Sequence, residues 1–257
     1  MSYRKRFSYK SNIFPEIFHV TIHSKEKHMF INEDDFDDVI KQEWGKDGST
    51  VVYDGITNIK EWNKTPVKIL WILKEGNEHT HEDRDHREFH TCVTWYSGWK
   101  STYKNIILPT YGILNNIPYE NLPSLSNNAK VGGEYVLDKI ALINVNKNGG
   151  SSQASSSIIK NNYTKHKDTL LQQIEKIEPN IIINCSRVKR LFDDIVKQYK
   201  LEKKLYDPRP TPNYVVNYAQ NDSKLFIDYW HPGAHLSSKN YYKMILDIYD
   251  IWKKSYK

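Results

Sequence analysis

The chain has 257 residues, 39% hydrophobic and 26% charged, with a formal net charge of +6. This length fits one large domain with a buried core, the composition is globular, and the positive balance permits a polyanionic partner. Two cysteines, Cys92 and Cys185, exclude a four-cysteine zinc or iron–sulfur site and point to a reducing, cytoplasmic setting. No apolar stretch approaches a membrane span, and the basic start MSYRKRFSYK lacks the apolar core of a signal peptide.

Residues 1–30 mix Tyr, Phe, His and Lys without periodicity and predict an N-terminal arm. Asn32 caps a predicted helix whose acidic first turn offsets the helix dipole, with Phe36, Val39, Ile40 and Trp44 as its apolar stripe. Residues 51–53 read as a short strand and 58–63 as a turn or two of helix. The continuous apolar run 69–73 then breaks into Lys74, Glu75, Gly76 and Asn77, the pattern of a buried strand ending in a polar loop. Residues 78–133 read as a long polar insertion rich in His, Trp and Tyr, with a helix around Tyr103, Ile106 and Ile107 that stops before Pro109, and then a surface loop that can hold a short helix near Tyr111 to Leu114.

A second buried strand is predicted over 140–145, followed by the Gly- and Ser-rich segment 148–162, read as a flexible loop. Residues 165–177 form an amphipathic helix, 180–184 a third strand, and a further helix begins near Arg187. A short strand over 214–216, a strand over 225–229 and a last helix from Ser237 or Ser238 complete the order. Strands alternating with helices predict an α/β fold: an open, mostly parallel central sheet with helices on both faces, in one domain over 1–257.

In such a sheet, ligands bind at the carboxyl ends of the strands. Glu75 just past a strand is placed to orient water or stabilise a cation; loop capping or an ion pair with Lys74 is the alternative. His231 follows a strand and precedes Pro232, so it can offer a hydrogen bond to a developing oxyanion while neutral; a core histidine bonded to a carbonyl is the alternative. Asn144 and Asn146 end the second strand, and an asparagine amide presents the donor and acceptor that reading a base edge requires.

These four strand ends, in this order, resemble the uracil-DNA glycosylase superfamily over roughly residues 65–240. The segment Leu73-Lys74-Glu75-Gly76-Asn77 stands for the family's first loop. Asn144 matches its base-reading asparagine, and His231-Pro232-Gly233 matches its His-Pro-Ser loop, with glycine for serine. Leu73 and Gly76 depart from the family's glycine and proline in the first loop. The resemblance implies a glycosylase-like domain that binds DNA, flips a base and hydrolyses its N-glycosidic bond, as a monomer without a cofactor. His231 would stabilise the leaving base and Glu75 the sugar cation. Asn144 and Asn77 would line the base pocket, and Trp95, Tyr96 or Trp99 would stack on the base. Lys74 or Lys147 would contact phosphate, with Arg187, Lys189 and Arg190 adding backbone attraction and Gly233 and His235 approaching the groove.

The expected substrate is DNA carrying uracil or a modified pyrimidine. The two polar segments beside the pocket favour a 5-substituted base, such as glucosylated hydroxymethylcytosine in viral DNA, which would make the protein an antiviral defence. Two other classes remain open. One is a noncatalytic nucleic-acid binder. The other is a metal-dependent nuclease or hydrolase that uses His86 and His90 with His79 or His81 and Asp85.

Overall fold

Four apolar runs become the parallel centre of a seven-stranded sheet. The computed structural model describes residues 34–76, 82–87, 100–150, 154–208 and 215–255. Strands β1 (Val52–Tyr53), β2 (Gly55–Ile56), β3 (Ile69–Glu75) and β4 (Arg84–Asp85) come first. They are followed by β5 (Lys130–Val131), β6 (Glu134–Tyr135), β7 (Ile140–Asn146) and β8 (Ile181–Asn184). The last are β9 (Glu202–Tyr206), β10 (Val216–Gln220) and β11 (Leu225–Asp228). The main sheet runs β2-β7-β3-β8-β11-β10-β9. Its centre, β7-β3-β8-β11, is parallel, and both edges are antiparallel.

The helices are α1 (Asp34–Trp44), α2 (Ile59–Lys64), α3 (Lys100–Asn115), α4 (Ser156–Ile177), α5 (Lys189–Tyr199) and α6 (Ser238–Ser255). Alternation along β3 sorts them into two layers. Ile69, Trp71 and Leu73 pack with Tyr103, Ile106 and Ile107 of α3 and Tyr241, Ile245 and Ile248 of α6. Leu70 and Ile72 pack with Ile40 and Trp44 of α1, Leu170 and Ile174 of α4, and Leu191 and Ile195 of α5. The protein is therefore a mixed, mostly parallel sheet covered by helices on both faces. Ile69, Leu70, Trp71 and Ile72 are at most 1% exposed. Burying each such side chain contributes about 1.5–3 kcal/mol, so β3 anchors both layers. Among the described residues, no helix is long and apolar enough to cross a membrane.

Several predicted elements change. Helix α3 runs through Pro109 to Asn115, inside the segment read as loop, because Tyr103, Ile107 and Tyr111 form one buried stripe that outweighs the missing N–H. Helix α4 starts at Ser156 within the stretch read as flexible, because Ile159 and Tyr163 are buried against the core. The hairpin β9–β10 replaces the short strand expected at 214–216. The N-terminal arm and the predicted cap Asn32 lie outside the described residues.

The connections set the position of the site. After β3 the chain crosses to β7 on one side; after β8 it crosses to the edge strand β9 on the other and returns through β10 to β11. Adjacent strands with diverging connections open a crevice at their carboxyl ends. Here that crevice lies between β3 and β8.

Candidate functional site

Glu75 is the last residue of β3 and stands in register with Asn146 at the end of β7. Asn146 donates from Nδ2 to Glu75 Oε2 at 3.0 Å. Beside them, the Gly150 N–H donates to the Gly76 carbonyl at 2.8 Å. A Cβ on Gly150 would stand 2.2 Å from Glu75 Cδ, so only glycine lets this turn close on the carboxylate. A Cβ on Gly76 would meet the His86 ring at 2.4 Å. Glu75 is thus held from one side by an amide and from another by bare backbone.

His231 lies on the loop after β11. The Gly233 N–H donates to His231 Nδ1 at 3.1 Å. A backbone N–H can only donate, so Nδ1 is the acceptor and the neutral ring carries its proton on Nε2. Burial lowers the imidazole pKa to about 4, with the Lys74 charge adding to the effect. At neutral pH the ring is an uncharged donor.

Two helices hold this loop. Asn105 of α3 donates from Nδ2 to the Pro232 carbonyl at 2.7 Å, and the Tyr241 hydroxyl of α6 donates to the Trp230 carbonyl at 2.8 Å. The loop therefore sits on the α3/α6 side of the sheet. Alternation puts Glu75 on that side too, since Ile69, Trp71 and Leu73 face it. Strands β3 and β11 are two spacings apart, roughly 10 Å, with β8 between them.

The other side of the rim carries different groups. Leu70 and Ile72 face α4 and α5, while the charge of Lys74 beyond them reaches the His231 ring. Asn184 and Asp228 are in register there, and Asn184 Nδ2 donates to Asp228 Oδ1 at 2.9 Å. Burial pushes the Asp228 carboxyl up to about 6, against the Asn184 hydrogen bond and the Arg187 charge. Asn184 Oδ1 accepts from the Ser186 N–H at 3.1 Å and from its hydroxyl at 2.6 Å. Sequence reasoning missed Asn184 and Asp228, although each ends an apolar run as Asn144 and Glu75 do.

Asn144 lies deeper than Asn146. It is 2% exposed, and its backbone N–H and Nδ2 donate to Asp54 Oδ2 at 2.7 Å and 3.3 Å. To read a base edge, its Nδ2 would have to leave Asp54. Lys147 does not fit its expected role as a phosphate contact. Its side chain is 0% exposed and its Nζ is 2.6 Å from Asp54 Oδ1. Burial lowers its pKa, against the pull of Asp54. The carboxylate, the Trp44 ring and the Asn144 carbonyl fix the ammonium inside the fold.

Arg187, Lys189 and Arg190 are exposed at the start of α5, and Arg187 adopts a left-handed φ of 65°. Gly233 and His235 are exposed on the His231 loop. Asn77, Trp95, Tyr96 and Trp99 lie outside the described residues. So do His79, His81 and His90 of the metal reading, while His86 is buried against Gly76 and Asp85 is engaged by Arg87 at 2.8 Å. Among the described residues, no group of three or more His, Cys, Asp or Glu is arranged to hold a metal ion. Compared with known proteins, the chain matches no family model and no curated protein.

Proposed function

We propose that the protein is a DNA glycosylase that hydrolyses the N-glycosidic bond of a flipped uracil or modified pyrimidine and leaves an abasic site. What carries this is a neutral Nε2–H donor, His231, on the loop after β11 and a carboxylate, Glu75, at the end of β3, two strands separated in the sheet by β8 alone. As the bond breaks, its electron pair moves to the base and positive charge grows on C1′ of the sugar. An uncharged imidazole is a suitable donor to the oxygen that gains negative charge. Glu75 is suited to the cation, and to accepting a proton from the water whose oxygen bonds to C1′. Asn146 holds the carboxylate for both tasks. The switch-point crevice and the resemblance of the four strand ends support a uracil-DNA glycosylase-like sheet as the finer reading of the fold.

DNA would approach over Arg187, Lys189 and Arg190, which are exposed at the same strand ends. Asn144, Asn77 and one of Trp95, Tyr96 and Trp99 remain candidates for the base pocket, and Lys74, Gly233 and His235 for the DNA contacts. The polar segments 78–90 and 149–157 follow β3 and β7 in the chain, and their length supports a base larger than uracil, such as a glucosylated hydroxymethylcytosine of viral DNA.

The test is incubation with uracil-containing, hypoxanthine-containing and virus-modified DNA, with released bases identified by mass spectrometry. Release of a modified pyrimidine is expected, and Glu75→Gln or His231→Ala should abolish it while DNA binding persists. DNA binding with no base released from any substrate would overturn the enzyme assignment and leave a noncatalytic binder. Release of uracil alone would overturn the modified-base substrate.

A further inference from the structure

The peptide carbonyls on either side of His231 are each held by one buried side chain. Tyr241, 0% exposed, takes the Trp230 carbonyl, and Asn105, 4% exposed, takes the Pro232 carbonyl. Asn105 is the more telling of the two. It sits among the buried apolar residues of α3, next to Ile106, where an amide is costly unless bonded. Its Oδ1 is buried and has no hydrogen-bond partner among the described residues. A half-satisfied amide weakens the core, and an aliphatic residue there would avoid that penalty. What the amide gives in return is one strong contact, 127 residues away in sequence, to the loop that carries His231. Pro109, four residues on, has no N–H for the Asn105 carbonyl, so the helix is also loosened at this turn.

We propose that Asn105 is a positioning residue for His231: by holding the Pro232 carbonyl it delivers the Gly233 N–H to Nδ1 and keeps the ring proton on Nε2. The role rests on the glycosylase reading of His231 as donor to the leaving base. The geometry is direct, because the peptide that Asn105 holds by its carbonyl, Pro232–Gly233, is the same peptide whose N–H caps Nδ1. Helix α3 also approaches closely at Thr102, whose Oγ1 lies 3.1 Å from where a Cβ on Gly233 would stand. With the carbonyl released, the peptide can rotate and the N–H leaves the ring. Nδ1 is then free to take the proton, and the donor no longer points where the base oxygen develops charge. The charged group acting on the ring is Lys74 from β3; α3 presents the neutral Thr102 and Asn105, and α6 presents the Tyr241 phenol.

The experiment compares wild type with Asn105→Ala and Asn105→Gln, the second keeping an amide donor. Nitrogen-15 NMR of the His231 ring reads the tautomer and its titration. Wild type should show Nε2 protonated at pH 7. Asn105→Ala should show mixed tautomers and a midpoint moved up toward the ordinary histidine value, with Asn105→Gln between them. Base release should fall about 100-fold in Asn105→Ala at unchanged DNA affinity, the scale of a small misplacement of a reacting group. The acid limb of its pH–rate profile should move up as well. A folded Asn105→Ala with the wild-type tautomer and midpoint overturns the assignment. Failure of both variants to fold overturns it too, since Asn105 is then a core residue. If wild type releases no base, the glycosylase function falls, and the ring spectrum still decides whether Asn105 positions His231.

Discussion

Replacing Lys147 with methionine separates a buried structural charge from a phosphate contact. Methionine keeps the length and apolar stem of lysine and removes the ammonium. That leaves Asp54, whose side chain is 0% exposed, with donors from the Asn144 backbone at 2.7 Å and Gln173 Nε2 at 3.1 Å but no cation. Removing one member of a buried ion pair costs about 3–5 kcal/mol, because the remaining charge is stranded in a poor solvent. Against a total stability of about 5–15 kcal/mol, Lys147→Met should lower the urea midpoint sharply. The double variant Lys147→Met/Asp54→Asn removes the stranded charge and should recover part of the loss. A phosphate contact predicts something else. Losing it would leave the urea midpoint unchanged and reduce the slope of log affinity against log salt by about 0.9. The assay is therefore a urea titration beside a salt series of DNA binding, with Arg187→Ala as the exposed comparison. A stability loss under about 1 kcal/mol together with a shallower salt slope would refute the buried-pair account of Lys147.

Asp228→Asn should be stabilising at neutral pH. The folded carboxyl titrates at about 6 against an ordinary 3.8, so its contribution is fully present below pH 3.8 and is lost as pH rises through about 6. The substitution should raise the melting temperature at pH 7 by the equivalent of at most about 3 kcal/mol and change little near pH 4; a pH-independent difference would contradict this. Gly150→Ala should act on Glu75 rather than on the core, since its Cβ would meet Glu75 Cδ at 2.2 Å. A loss of about 100-fold in single-turnover base release with a modest change in melting is expected, and a normal rate would detach Glu75 from the chemistry.

The central strands were legible because they are buried on both faces, so their sequences are apolar throughout rather than alternating. Their ends were less so. Strands β3 and β7 continue into Glu75 and Asn146, because backbone pairing is indifferent to the polarity of the side chain. Strand β9, with Lys203 and Lys204 half exposed or exposed, was invisible for the opposite reason: an edge strand is blunted by charge and reads as loop. The serines that open α4 suggested flexibility, and Ile159 and Tyr163 overrode them through contacts that local propensity does not contain. At the site, Glu75 and His231 stood out as polar groups at the ends of apolar runs. Asn105 gave no such signal, since its partner is far along the chain and its helix neighbours are apolar. Lys147 reads as a phosphate contact because a buried lysine is rare and its partner, Asp54, lies 93 residues away in sequence, beside the neighbouring strand β2.

The charge state of His231 fits the division of the rim into two sides. A protonated ring roughly 10 Å from Glu75 would attract the carboxylate by about 2 kcal/mol at an effective dielectric of 20, already in the free protein. It would also attract any phosphate passing over Lys74. On the glycosylase reading, both interactions would exist before the glycosidic bond stretches, so they would strengthen the ground state and not accelerate cleavage. A neutral Nε2–H has no such long-range pull; its hydrogen bond strengthens only as the base oxygen gains charge. The Arg187 charge acts on Asp228 on the α4/α5 side, while the Lys74 charge acts on the His231 ring, whose loop is clamped by α3 and α6. On the glycosylase reading, Lys74 would both attract the substrate's phosphates and help to keep the ring a neutral donor.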